Sequence, residues 1–174
     1  MVGFDQKIDP GDETEKRRII EMTLSIESAI MRLNKLADIG ATVRCEAATG
    51  RLAEVLKNPK LPRKFCDESR RAIDALMLHA FMKATDIAAK AAIDAAMKDD
   101  QDSRADCIRE ARENLRGAMK YKAPREFQLK CERMIETALL TGGVKAKGPT
   151  KAKPLDTPTD GDETEASTGT PSEA

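Results

Sequence analysis

The chain has no tryptophan, one tyrosine and four phenylalanines in 174 residues. Aromatic platforms for stacking unpaired bases are therefore scarce, which disfavours base-by-base reading of a nucleic acid. Histidine is equally scarce, with His79 alone. A di-iron centre in a helical bundle needs Glu-x-x-His pairs, and Leu76 stands three residues before His79. A nucleophile-His pair could use only His79, which sits between Leu78 and Ala80 with no local group to orient it. The spacing marks it as a structural histidine.

Four cysteines, Cys45, Cys66, Cys107 and Cys131, form no Cys-x-x-Cys pair. Zinc sites usually show close ligand pairs, so none is indicated. Phosphate-cradling Gly-x-x-x-x-Gly-Lys-Ser/Thr and Gly-x-Gly-x-x-Gly segments are absent. The acidic stretch after Met97 lacks the spacing and glycine of a calcium loop. There is no signal peptide and no twenty-residue apolar span. These absences lead us to expect a cytoplasmic, non-enzymatic protein with free thiols, no cofactor, no metal and no membrane partner. Cys131, between Phe127 and Met134 on one helical face, reads as a small buried hydrophobe.

The longest gap concerns the helix breakers. Between Pro62 and Gly117, 54 consecutive residues contain neither proline nor glycine. Breakers punctuate loops, so this stretch is one long helix, or two joined by a short polar turn. The periodicity predicts an all-α antiparallel helical bundle: a four-helix core plus an extra N-terminal helix. Residues 1–11 read as frayed. Helix one spans 12–39, with Met22, Ile26, Ala29/Ile30, Leu33 and Leu36/Ala37 at spacings of three and four and Gly40 as its stop. Helix two spans 42–56, with Val43, Ala47, Leu52, Val55 and Leu56 inward. Helix three spans 63–97, with Ile73, Met77, Ala80, Ala84, Ile87 and Ala91 inward, widened by Leu76 and Phe81. Asp102 or Ser103 caps helix four, which spans 104–122 with Ile108, Ala111, Leu115 and Ala118/Met119 inward. Pro124 suits the first turn of helix five, whose inward face is Phe127, Cys131, Met134, Ile135, Ala138 and Leu139, and Gly142-Gly143 ends it. Residues 144–174 lack periodicity and read as a disordered tail, basic then acidic.

Leu, Ile, Val and Phe supply only 27 of the 129 residues from Asp12 to Leu140, whereas Ala supplies seven of the fourteen from Ala84 to Met97. Alanine favours helix but buries little area, so a homo-oligomer is expected to supply the missing burial.

The 30 basic and 30 acidic residues cancel overall but not locally. Residues 41–153 carry 24 bases and 16 acids, while residues 154–174 carry six acids and no base. With alternating helices, two basic turns fall at one end: Lys57, Lys60, Arg63 and Lys64 in one, and Lys120, Lys122 and Arg125 in the other. The acidic turn holding Asp99, Asp100, Asp102 and Asp106 falls at the opposite end. A basic pole formed this way suits a polyanion such as RNA or DNA. Cations at helix C-termini and loop tips are also ordinary.

Leu61-Pro62-Arg63-Lys64-Phe65, Leu115-Arg116-Gly117-Ala118, Arg125-Glu126-Phe127 and Ile135 to Gly142-Gly143 resemble motifs of one group of small four-helix-bundle proteins. That group includes the accessory variability determinants of diversity-generating retroelements and the proteins encoded in intervening sequences of 23S rRNA. The resemblance covers residues 42–147. Val144 replaces the tryptophan usual after the glycine pair, and helix one and the acidic tail have no counterpart in the compact members. The resemblance implies a pentameric bundle that binds a reverse transcriptase and its RNA, with Arg63, Lys64, Arg116 and Arg125 at the matching positions.

Two readings remain open at the level of sequence. In one, the chain is an accessory protein binding nucleic acid, or a nucleic-acid enzyme, through its basic pole. In the other it is a homo-oligomeric scaffold that meets a protein partner through the apolar stripe of helix one.

Overall fold

The computed structural model describes residues 10–141, with side chains from residue 13 onward. The fold is all-α: α1 Pro10–Asp38, α2 Thr42–Val55, α3 Arg63–Met97, α4 Gln101–Lys120 and α5 Arg125–Thr141. Helix α1 takes in Pro10 and Gly11, the last two residues of the start read as frayed; the rest of that start, the segment read as a disordered tail and the Gly142-Gly143 stop lie outside the described residues.

Helix α3 is unbroken over 35 residues, a length of about 50 Å at 1.5 Å per residue. It serves as a spine for two helical hairpins. The first, α1–α2, lies along its N-terminal half. Lys60 Nζ meets Glu15 Oε1 at 2.7 Å near one end of α1, and His79 Nε2 meets Asp38 Oδ1 at 3.2 Å at the other. Helix α1 is therefore parallel to α3, and the short turn at Gly40 sends α2 back antiparallel. The second hairpin, α4–α5, lies along the C-terminal half. Helix α4 runs back until Gly117 reaches Phe81, and α5 then runs forward beside Asp86 and Ile93. The two hairpin turns converge on the middle of α3, with Gly40 against Ala84 and Tyr121 stacked on Phe81 at 5.9 Å between ring centroids.

This arrangement divides the core. One cluster joins Ile26, Leu33, Cys45, Leu52, Leu56, Ile73 and Met77, with Phe81 and Ala118 at its inner edge. The other joins Ala88, Ala89, Ala92, Ile108, Ala111, Ile135 and Ala138. The second is mostly alanine, whose short side chain lets α3, α4 and α5 approach closely but removes little surface from water.

Several expected faces are corrected by this division. On α3 the buried stripe changes register where the packing partner changes: Thr85, Ala88, Ala92 and Ala95 are buried, while Ile87 is exposed and Ala91 half-buried. On α2 the inward residues are Cys45, Ala48, Leu52 and Leu56, and Val43, Ala47 and Val55 face water. Met119 and Leu139 are exposed rather than inward. The α1 stripe from Met22 to Ala37 is the core face of its own chain, so it is not free to pair with another. Cys45, Cys66 and Cys131 are buried and Cys107 half-buried, all as free thiols; burial raises the pKa of Cys45, Cys107 and Cys131.

The turns also differ in detail. Asp99 takes a left-handed conformation and Asp100, extended, caps α4 by accepting from Ser103 N at 3.1 Å. The cap is thus Asp100, earlier than Asp102 or Ser103, and hydrogen bonding from Ser103, first its hydroxyl and then its backbone N–H, lowers the Asp100 pKa. Pro124 precedes α5 rather than opening its first turn, with its carbonyl accepting from Gln128 N at 3.2 Å. Gly40 is the expected left-handed stop (φ 69°), donating to Ala37 O at 3.0 Å while Ala41 N donates to Leu36 O at 3.0 Å.

Candidate nucleic-acid interface

The eight basic residues expected to act together fall into two sets. Lys57, Lys60, Arg63 and Lys64 lie at the α2–α3 turn, the N-terminal end of the spine. Asn58 Oδ1 accepts from Lys60 N at 3.0 Å and Arg70 Nη2 donates to Leu56 O at 3.3 Å, which closes the turn. Lys120, Lys122 and Arg125 lie at the α4–α5 turn beside Phe81, with Arg116 one turn earlier on α4. Arg63 and Phe81 are eighteen residues apart on one helix, on the order of 25 Å along its axis. The two basic turns open toward the same end but do not form one pole. Helix α4 is shorter than α3 and stops at mid-spine, which turn-counting along the chain does not capture.

The sets also differ in electrostatics. Lys57 Nζ is 2.7 Å from Glu54, Lys60 Nζ is 2.7 Å from Glu15 and Lys64 Nζ is 3.9 Å from Glu68. The hydrogen bond from Lys60 lowers the pKa of Glu15. A phosphate arriving there competes with carboxylates already in place. Arg116, Lys120, Lys122 and Arg125 have no carboxylate within ion-pair distance among the described residues, and Arg63 at the other turn also has none.

The sequence reading omitted Arg112. It precedes Arg116 by four residues as Arg116 precedes Lys120, so all three share the outer face of α4, and each is exposed. Arg109 extends the row but is held by Asp106 at 2.8 Å. The four-residue repeat was visible in the sequence, inside a helix analysed for its apolar face. Beside this row a shallow groove between α4 and α5 is floored by Leu115, Met119, Ile135 and Leu139. Glu132 and Glu136 form its far wall, opposite Arg112 and Arg116.

The α4–α5 turn holds its shape by backbone bonds. Lys122 N donates to Met119 O at 3.0 Å, Ala123 N to Ala118 O at 3.1 Å, and Gln128 Nε2 to Ala123 O at 2.7 Å. Lys122 pays for this with a left-handed backbone (φ 62°), although it is neither glycine nor asparagine. Its side chain is left exposed.

No family model, characterised protein or solved structure matches this chain. His79 is half-exposed and hydrogen-bonded to Asp38, a contact that fastens the end of α1 to α3. Among the described residues no three His, Cys, Asp or Glu side chains are placed to hold a metal ion. Among them, too, no helix is long and apolar enough to cross a membrane.

Proposed function

We propose that this chain is a non-enzymatic accessory protein that binds the phosphate backbone of RNA or DNA through the outer face of α4 and the α4–α5 turn. The observation that carries the reading is the set Arg112, Arg116, Lys120, Lys122 and Arg125: five exposed cations in one region, none ion-paired among the described residues. The aromatic residues support a sequence-blind mode, since Phe81 is buried and Phe65, Tyr121 and Phe127 are half-buried. The resemblance of residues 42–147 adds a reverse transcriptase and its RNA as the class of partner served.

The test is fluorescence anisotropy of a labelled generic RNA with the full chain over a salt series. Binding at low salt that falls linearly in log–log with salt is expected. Arg116→Glu with Lys120→Glu should abolish it, while Lys57→Glu with Lys60→Glu should weaken it far less. Binding that is absent at low salt, or undiminished at high salt, refutes the proposal.

A further inference from the structure

The outer face of α1, directly opposite its core stripe, exposes Ile20, Leu24 and Met31 at 57%, 58% and 64%. They belong to a row with spacings of four and three that runs Glu13, Arg17, Ile20, Leu24, Glu27, Met31 and Lys35, so its ends are charged and its apolar middle is interrupted once, by Glu27. A row of this kind on a long helix is a seam for a second helix. None of the described helices covers it.

We infer that this row is a self-association face, on which a second copy of the chain pairs its α1 antiparallel to the first, with a twofold axis at Leu24. The charges at the two ends of the row favour this occupant and direction, and they outweigh the one like-charged approach the pairing creates, Glu27 of one copy toward Glu21 of the other. Antiparallel pairing about Leu24 places Glu13 of one copy against Lys35 of the other, twice over by symmetry. It also brings the Arg17 stem onto Met31 and places Ile20 beside Ser28, next to Glu27, with Leu24 facing its own copy. In-register parallel pairing would instead set Glu13, Arg17, Glu27 and Lys35 each against its own like charge, which is unfavourable. Antiparallel helices also set opposite dipole ends together. The alanine-rich second core, which buries little apolar surface within one copy, fits a chain that gains burial by association.

The contact is small. Three apolar side chains per copy place it below the roughly 1,200 Å² of stable specific interfaces, so the dimer is weak and exchanges. Nucleic acid plays no part in it, and this face is separate from the α4 cations.

Sedimentation velocity of the full chain over a micromolar concentration series tests the association. A concentration-dependent monomer–dimer equilibrium is expected. Leu24→Asp, which sets two carboxylates on the twofold axis, should leave a monomer with unchanged helical circular dichroism, because Leu24 is an exposed residue. Lys35→Glu should weaken the dimer at least several-fold, and adding Glu13→Lys should restore it. Direction is read by oxidation in a Cys107→Ser background: Leu24→Cys should cross-link with itself, Ile20→Cys should not, and a mixture of Ile20→Cys and Ser28→Cys chains should. A monomer at every concentration, a dimer indifferent to Leu24→Asp, or cross-linking of Ile20→Cys with itself overturns the inference.

Discussion

Gly117 on α4 lies against the ring of Phe81 on α3, so closely that a Cβ at 117 would overlap Cδ1, Cε1 and Cζ of that ring. Phe81 cannot swing aside readily, because it is buried and stacked on Tyr121. The absent side chain is what lets α4 reach the middle of the spine, and it positions the α4–α5 turn that carries Lys120, Lys122 and Arg125.

Gly117→Ala should therefore destabilise the protein by about 1–3 kcal/mol, the usual cost of overpacking, although alanine favours helix. Gly50 is the internal control. It lies inside α2 with nothing within 4 Å of a built Cβ, so Gly50→Ala should stabilise by about 0.5–1 kcal/mol. Urea unfolding of both variants should give shifts of opposite sign.

Gly40 is constrained twice. Its backbone is left-handed (φ 69°), and an added Cβ would stand 3.0 Å from Ala84 N and 3.1 Å from its Cα. Backbone atoms of a helix cannot give way as a side-chain tip does. Gly40→Ala should cost at least the ~1–2 kcal/mol of a left-handed L-residue, read as a lower urea midpoint, and should part the α1–α2 turn from mid-spine.

Lys122 predicts a trade between stability and binding. Its left-handed backbone (φ 62°) suits glycine better. Lys122→Gly should raise stability by about 1 kcal/mol and, under the proposed function, reduce the slope of log K against log salt by about one. Thermal unfolding and anisotropy would move in opposite directions.

Asp86 predicts an acid limb. It accepts from Lys90 Nζ at 2.6 Å and Lys130 Nζ at 3.3 Å, and the Lys90 hydrogen bond is the larger cause of its lowered pKa. Protons therefore bind it less tightly folded than unfolded. Its contribution is present above the unfolded carboxyl value of about 3.9 and is lost as pH falls through the lower folded value. Asp86→Asn should reduce stability at neutral pH and flatten its dependence on pH in the acid range. Because Lys130 lies on α5 and Asp86 on α3, Lys130→Ala should reproduce part of the effect.

The thiols should separate by burial. Cys45 and Cys131 are fully buried and Cys66 nearly so, whereas Cys107 is half-buried. Burial also raises the pKa of Cys107, so its labelling by a thiol reagent in the native protein should be slow at neutral pH yet the first of the four. Complete labelling should require unfolding. Mass spectrometry of partially modified protein checks the order.

Much of the fold was legible in the sequence. The breaker-free run together with the polar turn after Met97 placed α3 at 63–97, and Gly40 was readable as a stop, because these signals act within a few residues of where they stand. Inward faces were less legible. Ile87 is more apolar than Ala88, yet Ala88 is buried, because closely packed helices at the C-terminal half of α3 favour the smaller side chain. The basic residues were legible as a set, but which of them are held by carboxylates was not. Lys60 meets Glu15 across 45 positions of sequence, a relation that only the parallel docking of α1 creates.

Composition and periodicity by themselves determined an all-α chain, the number and approximate limits of its helices, and a surface poor in exposed aromatics. These depend on local backbone preference, which each residue carries with it. Tertiary structure alone decided where two hairpins meet on one spine, and so why the basic turns stand apart and which face of α1 is left uncovered. Those features depend on side-chain volume at the crossings, with Gly117 under Phe81 and Gly40 on Ala84, and volume matters only once the helices are in contact.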